Sequence, residues 1–336
     1  MNFIMPRCRN APRRANGWFT TAAALALAAT AWGVRAQEKP CTKETVYVNV
    51  ENRNGGPVSG LTAANFHGSV AKESVSITSA EPAQIRRIVI VLDQSGSMYI
   101  ADAYISAASL IANIVAHAPA EYQFALLTYS KSTRVKRQFT SDRNELMDAL
   151  REAMAVKAPD GPSATSSTLD AALAGIELLS PSEPGDVVLM VTDGGESSGK
   201  ATASDVEIRF AHSDARLFAA IPITVATPNA SPEYQAVLAQ PLKKMIETVG
   251  GEVFWFAGKP PEVRMDPHQS NLPGGPSGIL EKMRTGYRLQ IAMPTTVTKP
   301  VDLKLEMIGS SDGNTSGDIL RTQPKLFPCT IPATQK

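Results

Sequence analysis

The sequence predicts an α/β protein: a doubly wound, mostly parallel sheet with a small flanking β domain made from the N- and C-terminal segments. Three observations predict it. Ile88-Val89-Ile90-Val91-Leu92 is apolar without alternation, as a strand covered on both faces must be, and similar runs recur at 124–127, 187–191 and 217–223. Stretches with apolar residues at helical spacing lie between these runs, the order of a doubly wound sheet. Alternating segments, the mark of strands with one wet face, lie at both ends of the chain, at 46–50, 287–293 and 301–307.

The first 36 residues carry Arg7, Arg9, Arg13, Arg14 and Arg35 and no acid, with an alanine-rich apolar run over 18–32 and a small-x-small end at Val34-Arg35-Ala36. This reads as a secretory signal cut after Ala36. The run falls short of the ~20 strongly apolar residues of a spanning helix, so no transmembrane segment is expected after cleavage. The mature protein is then extracytoplasmic, periplasmic or secreted. Losing five arginines takes the formal charge from +1 to −4, and a chain with 33 Lys+Arg against 32 Asp+Glu offers no basic excess for nucleic acid. At 43% hydrophobic it is no disordered chain either. Cys41 and Cys329 remain near the two ends of the mature chain, where a disulfide is expected to staple those ends in an oxidising compartment.

Residues 37–85 form the N-terminal β segment. Val46, Val48 and Val50 share one face and Tyr47 and Asn49 the other, which predicts a half-buried strand; a turn at Asn54-Gly55-Gly56-Pro57 and a short strand at 75–78 follow. The α/β domain spans 86–257, and Arg86-Arg87 reads as a solvated strand start rather than an anion site. Ala103, Ala107, Leu110, Ile111, Ile114 and Val115 make one helical face, and Asp142 with Glu145 a capping box ahead of Leu146, Ala149 and Leu150. Leu169, Ala172, Leu173 and Ile176 make a third stripe, Ser204 with Glu207 caps a fourth helix, and 242–249 supplies a fifth. Trp255, between Phe254 and Phe256, belongs to the last strand, with one aromatic face expected in solvent. Residues 258–277, with five prolines and three glycines, read as a loop, and the segment 278–336 is expected to pair with the N-terminal one.

The chemistry gathers at strand ends. The first buried strand runs into Asp93-Gln94-Ser95-Gly96-Ser97, a carboxylate and two hydroxyls at alternate positions that can converge on one hard cation. A later strand ends in Thr192-Asp193-Gly194, and Thr165-Ser166-Ser167-Thr168 precedes a helix between them. Three oxygen clusters on one rim make a candidate hard-metal site.

This pattern resembles the metal-ion-dependent adhesion site of von Willebrand factor type A domains. Asp93-x-Ser95-x-Ser97, a hydroxyl ahead of Leu169 and Ala172-Leu173, and Asp193-Gly194 match its motifs in order. Pro57-Val58-x-Gly60-Leu61-Thr62-x-x-Asn65-Phe66 and Gly286-Tyr287-Arg288-Leu289 further resemble secreted von Willebrand factor A-related proteins frequent in acidobacteria. The resemblance implies that Ser95 and Ser97 bind Mg2+, or Mn2+ or Ca2+, directly, with Asp93 and Asp193 direct or through water. The family's threonine maps to Ser167, with Ser166 and Thr168 as alternatives. It further implies a non-enzymatic adhesion module whose open coordination position takes an Asp or Glu carboxylate from a protein partner.

Two other classes compete. A metal-dependent phosphohydrolase would use Asp93 as nucleophile, but such enzymes want a second acid two residues on, where Ser95 stands. A structural envelope protein would leave the site inert. His67, His117, His212 and His268 are scattered without zinc or triad spacing; the loop Gln94-Ser95-Gly96-Ser97 after the first buried strand does not fit the Gly-x-Ser-x-Gly elbow of a serine hydrolase, and no Walker or Gly-x-Gly-x-x-Gly motif is present.

Overall fold

The computed structural model describes residues 43–52, 56–100, 103–156, 160, 165–223, 232–257, 264–265, 276–293, 297–308 and 319–328. They belong to one compact unit, Pro40–Lys336. The proposed signal segment and both Cys41 and Cys329 lie outside the described residues.

In chain order the elements are β1 (Lys43–Glu51), β2 (Phe66–Val70), β3 (Glu73–Pro82), β4 (Arg87–Asp93), α1 (Gly96–Ile100), α2 (Ala103–His117), β5 (Gln123–Tyr129) and β6 (Thr133–Thr140). Next come α3 (Arg143–Ala155), α4 (Thr168–Leu178), β7 (Asp186–Val191), α5 (Ala203–Ala211), β8 (Ala215–Pro222), α6 (Pro232–Thr248) and β9 (Val253–Ala257). The chain closes with β10 (Arg264–Met265), α7 (Pro276–Arg284), β11 (Gly286–Ala292), β12 (Val301–Met307), β13 (Ile319–Thr322) and β14 (Lys325–Leu326).

One sheet has the order β10-β9-β8-β7-β4-β5-β6, with β9, β8, β7, β4 and β5 parallel and the edge strands β6 and β10 antiparallel. Its inner strands β4, β5, β7 and β8 are apolar on both faces because helices cover both. Ile88, Ile90 and Leu92 pack among side chains of α2, α3 and α7, while Val89 and Val91 pack among those of α4, α5 and α6. The chain reverses its winding direction at β4, so the crevice beyond the ends of β4 and β7 is the switch point where ligands bind in open α/β sheets.

The second sheet is antiparallel, order β13-β1-β11-β3-β2-β12-β14, and it joins the two ends of the chain: β1 pairs β11 in register from Lys43↔Ala292 to Asn49↔Gly286. Val46, Val48, Val50, Phe66, Leu289, Ile291 and Leu303 fill its apolar core. The fold class read from the sequence is the one observed.

Four local expectations need correction. β1 is not half-buried: Tyr47 and Asn49 are covered too, because their face meets the α/β layers, where the Tyr47 hydroxyl donates to Asp214 O at 2.9 Å. The fourth helix is capped two residues earlier than expected, by a reciprocal pair of Thr202 and Asp205. Asp142 does cap α3 through Asn144 N and Glu145 N, but Glu145 turns to the Thr140 hydroxyl rather than back to the cap. Trp255 has no exposed face: Ile221 and Ala239 enclose it.

Candidate metal centre

The ends of β4 and β7 deliver the two carboxylates. Register Leu92↔Val191 sets the strands side by side, so Asp93 and Thr192 emerge as neighbours at the same edge. Asp93 is fully buried. Its Oδ1 accepts from Ser95 N at 2.7 Å, which curls the loop after the strand, and its Oδ2 accepts from the Thr192 hydroxyl at 2.7 Å and from the Tyr129 hydroxyl at 3.1 Å. Desolvation by burial, then the charge of Asp193, push the Asp93 carboxyl up to about 7. Among the described residues, Asp93 forms no ion pair with a basic side chain. A buried carboxylate beside a second one without a counter-cation is a place where a metal ion lowers the electrostatic cost.

The hydroxyls follow. Ser95 is buried and Ser97 exposed, with their Oγ atoms 3.1 Å apart. Gln94 between them turns inward instead, and its side-chain amide donates to Ala153 O at 2.8 Å and the Tyr104 hydroxyl at 3.1 Å, anchoring the loop to α3 and α2. Asp193 is half-buried and its Oδ1 accepts from Gly195 N at 3.0 Å. Gly194 has φ +86°, and a Cβ there would sit 3.0 Å from Ala239 Cβ, so this loop rests directly on α6.

The third loop divides its hydroxyls between two directions. Ser167 Oγ donates to Lys131 O at 3.2 Å and lies 3.0 Å from Ser198 Oγ, away from the Asp93 network. Thr168 Oγ1 points into that network: the Tyr129 hydroxyl is 3.2 Å away, Ser166 Oγ 2.9 Å, and it donates to Gly195 O. Glu196 completes the rim by accepting from Leu169 N at 2.8 Å at the start of α4 and from Gly199 N at 2.7 Å, while Asp170 holds Ala201 N at 2.8 Å. These bonds tie the loop carrying Asp193 to the helix carrying Thr168.

Of the residues singled out in the sequence, Asp93, Ser95, Ser97 and Asp193 lie at one strand edge, and Tyr129, which was not singled out, touches Asp93, Thr168 and Thr192 from the neighbouring strand. In the sequence it was one more residue of an apolar strand, and its position at the same edge as Asp93 was the only available signal. Among the described residues, no three His, Cys, Asp or Glu side chains gather as a metal-binding group. The site's chemistry is two carboxylates with hydroxyls, a donor set suited to a hard divalent ion.

Several solved structures are similar to this chain. One is a von Willebrand factor type A protein from Catenulispora acidiphila, with 13% identity and a TM-score of 0.38, covering 89% of this chain and 76% of that one. Another is the conserved hypothetical protein BatB from Bacteroides thetaiotaomicron, with 13% identity, a TM-score of 0.39, and coverage of 52% and 90%. A third is an aerotolerance-related membrane protein from Bacteroides fragilis NCTC 9343 with multiple mutations to serines, at 15% identity, a TM-score of 0.42, and coverage of 59% and 98%. No curated protein matches the chain. No helix among the described residues is long and apolar enough to cross a membrane. The span 88–196, which holds every carboxylate and hydroxyl of the site, matches the von Willebrand factor type A domain.

Proposed function

We propose that this protein is an exported, non-enzymatic binding module. In it Asp93, Ser95, Ser97, Asp193 and one third-loop hydroxyl hold a divalent cation, Mg2+ or else Mn2+ or Ca2+. Von Willebrand factor type A domains are generally non-enzymatic and commonly mediate contacts between proteins. The observation that carries the metal reading is Asp93: buried, raised by burial and by Asp193, and without a basic partner among the described residues. The orientation of the third-loop side chains favours Thr168 over Ser167 as the third oxygen.

The bound cation would supply a positive centre with an open position for an Asp or Glu carboxylate of a partner protein. The chain's own residues prepare that position. Thr192 and Tyr129 hold one oxygen of Asp93, Ser95 N holds the other, and Ser97 stays exposed at the rim. The Arg-rich N-terminus and its apolar run support export, and the motifs flanking the domain support kinship with secreted bacterial proteins of this type.

Calorimetric titration of Mg2+ and Mn2+ into wild type, Asp93→Ala and Asp193→Ala tests the reading, with folding followed by circular dichroism. Saturable binding by wild type and loss in both variants is the expected result. A folded wild type that binds neither ion overturns it.

A further inference from the structure

At the opposite end of the parallel strands, the extended connector 83–86 between β3 and β4 separates two clefts, each about 660 Å³. That volume lies within the range of small-ligand sites, and such sites favour the joint between two structural layers. The connector is pinned where it runs: Ala83 N donates to Gly286 O at 2.7 Å, Arg86 O accepts from Gln123 N at 2.9 Å, and Ala83 and Ile85 point inward. Gln84 and Arg86 are left facing out, and Arg86 lines both clefts.

The two clefts differ in charge. One sets Arg86 and Arg288 against Glu81 and Glu183, with Arg288 already facing Glu81 at 3.7 Å and Asp214 at 3.8 Å. The other has Arg86 and Arg284 against Glu121 alone, with Tyr122 in its wall. Among the described residues, the side chains of Arg86 and Arg284 are exposed and make no hydrogen bond or ion pair.

A third guanidinium lies inside the protein at this joint. Arg216, on β8, is 1% exposed and lies against the rings of Tyr47 and Phe218, 5.4 and 5.2 Å from their centroids. It donates to Met283 O, next to Arg284 in the chain, and its Nε and Nη1 have no partner among the described residues. Burial pushes the Tyr122 hydroxyl above its ordinary range, and the nearby charges of Arg284 and Arg216 oppose that shift. A buried cation without an anion is costly, and its field is least screened in the neighbouring cleft.

We propose that the cleft lined by Arg86, Tyr122 and Arg284 binds an oxyanion, the planar or tetrahedral O–X–O group of a carboxylate or phosphate. Arg86 and Arg284 are the contacting groups, and the buried charge of Arg216 adds attraction without touching the ligand. Guanidinium forks match paired anionic oxygens, and two unpaired forks across one cleft make such an acceptor bidentate from both sides. This site is separate from the candidate metal centre and stands whether or not that centre holds a cation.

The test uses the full chain carrying Asp93→Ala, in buffer stripped of divalent ions, so that metal-bound anion at the other end of the sheet cannot contribute. Inorganic phosphate and citrate are titrated separately by calorimetry at low salt. Saturable binding with a Kd of about 1 mM is expected. Arg86→Gln and Arg284→Gln, both on exposed side chains, are each expected to weaken it about tenfold, and added salt to weaken it further. Binding of phosphate alone identifies a phosphoryl ligand and of citrate alone a carboxylate ligand; either result supports the site. No saturable binding of either anion, or binding unchanged in the Arg86→Gln/Arg284→Gln double variant, overturns it.

Discussion

Thr192 donates its hydroxyl to Asp93 Oδ2 at 2.7 Å, joining the C-terminal ends of two adjacent parallel strands beneath the candidate metal centre. The bond fixes the carboxylate before any ion arrives, and Tyr129 adds a second donor to the same oxygen. Thr192→Val keeps the shape and removes the donor. Losing one hydrogen bond to a buried charged group costs about 1.5–3 kcal/mol, so calorimetry should show Mg2+ affinity reduced about tenfold or more. Unchanged affinity in a folded Thr192→Val protein would mean that Asp93 needs no such support.

Stability of the metal-free protein should fall as pH rises toward neutrality. Burial and Asp193 raise Asp93 from 3.8 to about 7 in the folded state. Between those values the folded protein holds a proton that the unfolded chain releases. The contribution is therefore fully present below about pH 4 and is lost as pH rises through about 7, with a slope of up to about 1.4 kcal/mol per pH unit. Urea unfolding across this range should show a steeper decline in wild type than in Asp93→Asn, which keeps the contribution of Glu44, raised to about 7 by burial, and saturating Mg2+ should offset the difference. A flat wild-type profile between pH 5 and 7 counts against the buried, cation-free carboxylate.

Arg87, at the start of β4, donates from Nε to Asp186 Oδ1 at 2.9 Å and from its second nitrogen to Oδ2 at 2.5 Å, bridging to the start of β7. Asp186 is 1% exposed. Arg87→Ala leaves that carboxylate buried and unpaired, so chemical denaturation should show a loss of about 3–5 kcal/mol. A loss below about 1 kcal/mol would show that the pair behaves as a surface bridge.

Gly185 and Gly60 both have positive φ, +94° and +75°, but only one is crowded. A Cβ on Gly185 would lie 1.6 Å from the carbonyl oxygen of Gln84, whereas one on Gly60 meets nothing within 4 Å. Gly60→Ala should therefore cost about 1–2 kcal/mol, the backbone preference alone. Gly185→Ala should cost more than about 4 kcal/mol, since the connector 83–86 must move. Equal thermal shifts in the two variants would contradict the close approach.

The sequence alone determined the inner strands of the parallel sheet and most of the helices that cover it. Short apolar runs without alternation, rich in β-branched residues and bounded by turn residues, read as strands covered on both faces, so β4, β5, β7 and β8 were legible, and their ends put Asp93 and Asp193 on one edge. β6 was not foreseen: it is an edge strand, with Arg134, Val135, Lys136 and Arg137 in succession, and a strand paired on one side needs no apolar alternation.

Tertiary structure decided what depends on neighbours distant in sequence. Tyr47 and Asn49 read as the wet face of β1, but sheet packing buried them. Ser166, Ser167 and Thr168 are nearly equivalent in sequence, all three short hydroxyls at the start of one helix. Their directions were set by what stands opposite: Lys131 O and Ser198 for Ser167, Tyr129 and Gly195 O for Thr168. Local propensity fixes where a backbone bends, whereas a hydroxyl turns toward whichever partner the packed fold presents, and those partners come from two other segments of the chain, 129–131 and 195–198.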